Sequence, residues 1–250
     1  MLDEIRPHIA ELRSRLFKIV ISYGIAFLIV FTNWQIVFEW MKKPLESAFD
    51  RAMIFTSLAE PFITALKISL YGGFVLALPF IMWQIWKFIA PALYEDEKKM
   101  SIPFVFWGTV MFLSGVAFAY YVVFPVGANV LIHFGGVQFE AMLKMSEYIG
   151  FFAKFMFGFG LSFELPVFSY FLAKLGLITD QTLIGGFRYA VVGIFLIAAI
   201  LTPPDPASQF LMAIPLIILY GVSILIVKMV NPEIKDEEDE EDKKVVEKGE

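Results

Sequence analysis

The stretch that decides the fold is Phe155-Met-Phe-Gly-Phe-Gly-Leu-Ser-Phe-Glu164-Leu-Pro166. It is apolar except for Ser162 and one carboxyl group, and it lies inside a longer apolar run from Ile149 to Leu175. A run of about 20 such residues is what a helix needs to cross a hydrocarbon core of about 30 Å. A carboxyl group there costs about 2.5–3.5 kcal/mol on insertion scales, so its presence points to a task. Pro166 lacks an N–H and leaves the carbonyl of Ser162 without its helical donor, which puts a polar notch beside Glu164.

Working outward, the whole 250-residue chain carries the same character. It is 58% hydrophobic and 18% charged, with a mean hydropathy of +0.71. A soluble domain of this size cannot bury that much apolar surface, so the chain reads as an integral membrane protein. The net charge of −5 is unevenly distributed. From Asn231 to Glu250 ten acids face four lysines, and the remainder is nearly neutral. That segment is a like-charge block with few apolar residues, predicted to be a disordered acidic tail over 231–250 behind a membrane domain over 1–230. There are no cysteines, which excludes thiol catalysis, thiolate metal sites and disulfides. Two separated histidines, His8 and His133, do not make a metal site, and no cofactor is expected.

Six spans are predicted, at about Leu16–Phe38, Pro61–Trp86, Ile102–Phe124, Ile149–Leu175, Tyr189–Leu201 and Ser208–Met229. The fifth is short, since thirteen residues rise only about 20 Å. Thr202-Pro203-Pro204-Asp205-Pro206 ends it. Lys and Arg fall on one side of these spans fourteen times and on the other four times, which places both termini in the cytoplasm. The outward segments Glu39–Glu60 and Pro125–Tyr148 suggest short interfacial helices. Ser146 is expected to cap the fourth span, with Glu147 in its first turn.

Three features stand out against bland alternatives. Residues 7–16 suggest an amphipathic helix on the membrane surface, since Ile9, Leu12 and Leu16 share one helical face with the preceding Ile5. The alternative for Glu11 is a simple i,i+4 pair with Arg15. The loop Trp86-Lys-Phe88-Ile-Ala-Pro91-Ala-Leu93-Tyr94-Glu95-Asp96-Glu97-Lys98-Lys99 sets three acids beside an anionic surface. Acids placed there are candidates for binding a cation, and the alternative is a solvated turn balanced by Lys98 and Lys99. For Glu164 the alternative is an internal ion pair, with Lys67 the better candidate partner, or a protonated acid packed between helices. Lys154 lies about 15 Å away along the same helix and is expected to snorkel outward.

Four motifs together resemble the TatC family, the six-span core of twin-arginine (Sec-independent) protein translocases. They are Glu11-Leu-Arg13-x-Arg15-Leu, Phe88-Ile-Ala-Pro91-Ala-Leu93-Tyr94-x-x-Glu97-Lys, Phe163-Glu164-x-Pro166 and Leu201-Thr-Pro203-Pro204-Asp205-x-x-Ser208-Gln209. The resemblance covers about residues 1–230. It implies an all-α bundle of six transmembrane helices, concave on one side with a short fifth helix, in the cytoplasmic (inner) membrane. It also implies a non-enzymatic receptor for the Arg-Arg signal peptides of folded cargo. Glu11, Arg13, Phe88, Leu93, Tyr94 and Glu97 would bind the peptide. Glu164, Pro166, Asp205 and Gln209 would serve partners within the membrane. Those partners would be TatB- and TatA-type single-span proteins, with self-association, and no nucleic acid is expected. Guanidinium meets carboxylate in a planar fork that Lys cannot copy, which fits acids as the arginine receivers.

Two other functions compete. A secondary transporter using Glu164 as its ion site would carry two repeated halves with broken helices, and Pro79, Pro166 and Pro215 interrupt spans without any repeat. An intramembrane enzyme would need an HExxH, a Ser/His pair or paired aspartates on the spans, and none is present.

Overall fold

A computed structural model describes residues 2–46, 49, 52–89, 101–133, 142–202 and 204–230, with residues 2–9, 89 and 101 in backbone only. The described residues form α1 (Leu2–Thr32), α2 (Trp34–Glu46), α3 (Glu60–Ile89), α4 (Ser101–Phe118), a π-turn (Ala119–Val123), α5 (Phe124–His133), α6 (Met145–Lys174), α7 (Asp180–Leu201) and α8 (Pro206–Val230). Six helical units are long and apolar enough to cross a membrane, so the expected all-α six-span architecture holds. We call the side where α1 begins and α8 ends the near side, and the opposite one the far side.

The boundaries differ from expectation where local chemistry overrides hydropathy. Residues 7–16 are not a separate surface helix, because α1 runs unbroken from Leu2 into the first span. That span stops at Thr32, short of the predicted Phe38. The Asn33 amide donates to the Ile29 carbonyl at 2.9 Å, capturing a group that a continuing helix would use. The interfacial helix α2 follows directly, burying Met41, Pro44 and Leu45. The third span does not end at Phe124. A π-turn absorbs the change of pitch, and the helix continues to His133. The fifth span is the shortest of the six, but at 22 residues it is longer than the predicted thirteen. It rises about 33 Å and needs no thinned bilayer. Gly185, Gly186 and Arg188, which interrupt its apolar run, are inside the helix.

The centre of the bundle is α6. Ile149, Phe152, Phe155 and Phe159 on this helix are essentially inaccessible, and they pack with Ile68, Phe124 and Met212 from three others. Outside this core, α1 lies along α3 at backbone distance. A β-carbon on residue 73 would sit 2.9 Å from both the Cα and the N of Phe27, so only glycine fits. The Tyr23 hydroxyl donates across the same seam to the Leu70 carbonyl at 2.9 Å.

Two tyrosines fasten α2 to the far side of the bundle. Pro44 has no N–H for the Trp40 carbonyl, and the Tyr120 hydroxyl supplies a donor at 2.9 Å instead. The Trp40 and Tyr120 rings stack with centroids 4.3 Å apart. Tyr148 donates to the Met41 carbonyl at 2.7 Å.

Candidate functional site

Glu164 sits on α6 and is 2% exposed. Neither of its carboxyl oxygens has a hydrogen-bond partner among the described residues. The wall over it is thin. A β-carbon on Gly108 of α4 would lie 3.3 Å from Oε2 and 3.7 Å from Oε1, with the Met82 sulfur of α3 beside it at 3.6 Å. The carboxyl group is therefore held between α3, α4 and α6, and polar groups in such a place are normally paired.

The alternative of an ion pair between Glu164 and Lys67 is not what the structure shows. The Lys67 ammonium donates to the Ser146 hydroxyl at 2.7 Å and to the Ser146 carbonyl at 3.2 Å. It lies against Gly150 in the first turns of α6, about 21 Å of helical rise from Glu164. Lys154 is exposed, in line with snorkelling. Ser146 is not the cap of α6 either. Its hydroxyl is engaged by Lys67, and its N–H is capped from another helix by Glu60 Oε1 at 3.2 Å. Glu147 does occupy the first turn, paired with Lys144 at 3.4 Å.

Glu60 is a residue that the sequence did not single out. Its carboxylate also accepts from the Thr56 N–H at 2.7 Å and the Thr56 hydroxyl at 3.3 Å. Beside it, residues 54 and 144 pair as extended backbone, with Ile54 N donating to Leu143 O and Met145 N to Ile54 O, both at 3.0 Å. The two far-side loops are thus tied into one polar knot. Thr56 and Glu60 carry no motif, and their link to Ser146 spans 86 residues, so no local pattern marks it. Two more buried polar atoms lack partners among the described residues, the Gln84 side-chain oxygen and the Trp86 indole nitrogen. Both lie on the near-side half of α3, and neither was predicted.

The other proposed partner-binding residues are engaged internally. Asp205 is the N-cap of α8, accepting from the Ser208 N–H at 2.7 Å and from its hydroxyl. Pro206 stands first in that helix, where its missing N–H costs nothing. Gln209 donates to the Phe195 carbonyl at 3.1 Å and ties α8 to α7. Pro166 is buried and lines a groove discussed below.

Of the predicted peptide-binding residues, Glu11 is partly buried on α1 and its Oε1 accepts from both Nε and Nη2 of Arg15. Oε2 is left without a bond in this pair. Arg13 is exposed on the opposite side of the helix from that pair, and Phe88 is 41% exposed at the near-side end of α3. Leu93, Tyr94 and Glu97, like Glu95 and Asp96, lie outside the described residues.

Six apolar spans around an interior carboxyl group with no hydrogen-bond partner among the described residues define a polytopic helical membrane protein. Its lineage is settled by comparison. The family described as Sec-independent protein translocase protein (TatC) matches residues 7–215. A Sec-independent protein translocase protein TatC of Helicobacter pylori is 49% identical over 240 residues, covering 96% of this chain and 95% of the relative. One from Campylobacter jejuni is 43% identical, covering 96% and 100%. A crystal structure described as the twin arginine translocase receptor TatC superposes with a TM-score of 0.83 at 38% identity, covering 89% of this chain and 99% of the other. The chain belongs to the TatC family, and it is a membrane protein of the translocase class.

Proposed function

We propose that this chain is the receptor and assembly core of a twin-arginine export system in the cytoplasmic membrane, with the near side and the 231–250 tail in the cytoplasm. It binds Arg-Arg signal peptides of folded cargo and recruits single-span partners of the TatB and TatA type. The observation that carries the reading is the unpaired, buried carboxyl group of Glu164. A polar group kept in an apolar interior against its cost is explained by a donor that arrives from outside the chain. A polar side chain on a partner's transmembrane helix supplies it; the missing β-carbon of the buried Gly108 leaves room for the carboxyl group against α4. Pro166, two residues from Glu164, and Asp205 and Gln209, at the far-side start of α8, would serve further partner contacts within the membrane. Copies of the chain associate with one another in the working assembly.

At the near-side surface, Glu97 and Glu11 receive the two arginines, with Phe88, Leu93 and Tyr94 as the apolar floor and Arg13 at the rim. Each charge-assisted hydrogen bond contributes about 1.5–3 kcal/mol. Arg15 already sits on Glu11 in the guanidinium–carboxylate geometry an incoming arginine would use, through one oxygen only. The peptide either takes the second oxygen or displaces Arg15.

Site-specific photo-crosslinking of an Arg-Arg signal peptide to the full chain in membranes tests the receptor. Crosslinks are expected at Phe88 to Glu97 and at Glu11, lost in Glu97→Ala and weakened when the peptide carries Lys-Lys. Unchanged crosslinking in Glu97→Ala, or equal crosslinking of the Lys-Lys peptide, would reduce the loop to a solvated turn. Recruitment is read separately, by retention of a single-span partner during purification of Glu164→Gln.

A further inference from the structure

A groove of about 430 Å³ runs down the near-side half of the bundle, between α4, α6 and α8. Its walls are Pro103, Trp107 and Met111 on α4, Pro166 through Lys174 on α6, and Ile226 on α8. Along α4 the lining extends from Pro103 to Met111 and along α6 from Lys174 to Pro166, eight residues in each case. Both amount to about 12 Å of rise, most of the 15 Å or so of one leaflet's hydrocarbon. The two helices run antiparallel, so both walls start at the near-side end and run inward together.

The chemistry of the lining is graded along that axis. The deep end is apolar, with Met111, Pro166 and Val167. Among the described residues the only formal charge in the lining is Lys174, at the surface end, and no acid lines the groove. The ammonium is held over the ring of Tyr170, 5.9 Å from its centroid, which keeps it above the slot. A peptide would find few partners here for its backbone groups. An acyl chain needs none, and a phosphate finds Lys174 waiting at the depth where a headgroup lies.

We infer that this groove holds one chain of an anionic glycerophospholipid, with its phosphate at Lys174. Charge complementarity selects the headgroup, and the apolar slot of leaflet depth selects the chain. The site lies on other surfaces than those of Glu11 and Glu97 and does not require the receptor reading to hold.

Native mass spectrometry of the full chain, released from bilayers of equal parts phosphatidylglycerol and phosphatidylcholine, tests it. One phosphatidylglycerol is expected to survive delipidation. Lys174→Ala is expected to lower its occupancy about fivefold, the equivalent of roughly one near-surface cation, while phosphatidylcholine is unaffected. The control is Lys87→Ala, which removes a near-side charge that lies over Trp83 and outside the groove. It is expected to change nothing. Equal retention of the two lipids, no retained lipid, or an equal loss in Lys87→Ala would each overturn the inference.

Discussion

Replacing Glu164 by methionine is predicted to make the isolated chain more stable. The carboxyl group is 2% exposed, neither oxygen is bonded among the described residues, and its neighbours are Gly108 and the Met82 thioether. Burying a polar group without a hydrogen bond costs about 1–3 kcal/mol in proteins. Methionine fills a similar length with a flexible apolar chain, so no sizeable cavity offsets the gain. The net expectation is about 2 kcal/mol of stabilisation. Glu164→Gln should gain less, because its amide remains unpaired in the same place. Equilibrium unfolding of the cysteine-free chain in mild detergent or bicelles, followed by tryptophan fluorescence, would measure both. The stabilised variant should at the same time lose its single-span partner on purification, since the group that costs stability is the one kept for docking. A Glu164→Met variant that is equally stable or less stable than the parent would refute the reasoning, because the carboxyl group would then be satisfied within the fold.

Other outcomes follow from single contacts. Gly73→Ala places a β-carbon 2.9 Å from the Phe27 backbone and should cost about 1–3 kcal/mol while moving α1 off α3. Disulfide trapping between cysteines introduced on the two helices would report the separation. Tyr120→Phe leaves the Trp40 carbonyl without its substitute donor and should cost about 1 kcal/mol. Pro44→Ala, which restores an N–H at the right position, should recover much of that loss, as a double-mutant cycle would show. Glu60→Ala removes the acceptor shared by the Thr56 and Ser146 amides. Faster hydrogen exchange at those two amides is expected, and unchanged protection would mean the far-side loops are held by their backbone pairing alone.

What could be read from the sequence was whatever depends on one residue and its near neighbours. Hydropathy located six spans, because transfer into hydrocarbon is a property of each residue in turn. Proline ended the fifth span, because its effect acts within a few residues. The Glu11–Arg15 pair was visible for the same reason, being one helical turn apart. Glu164 stood out as an acid inside a span, and its Phe-Glu-x-Pro setting pointed to the family.

The tertiary structure decided the rest, wherever two distant segments compete for one group. Lys67 could not be assigned a partner from spacing, and it turns out to serve Ser146, 79 residues away, rather than Glu164. Nothing in the sequence marked Glu60, and only the fold brought it to the far-side end of α6. The π-turn that lengthens the third span and the side-chain capture at Asn33 that shortens the first are packing and hydrogen-bond outcomes that hydropathy does not encode. The same holds for the emptiness around Glu164. The sequence placed a carboxyl group in the membrane because composition is local. That it faces a glycine, a thioether and no donor depends on how three helices meet.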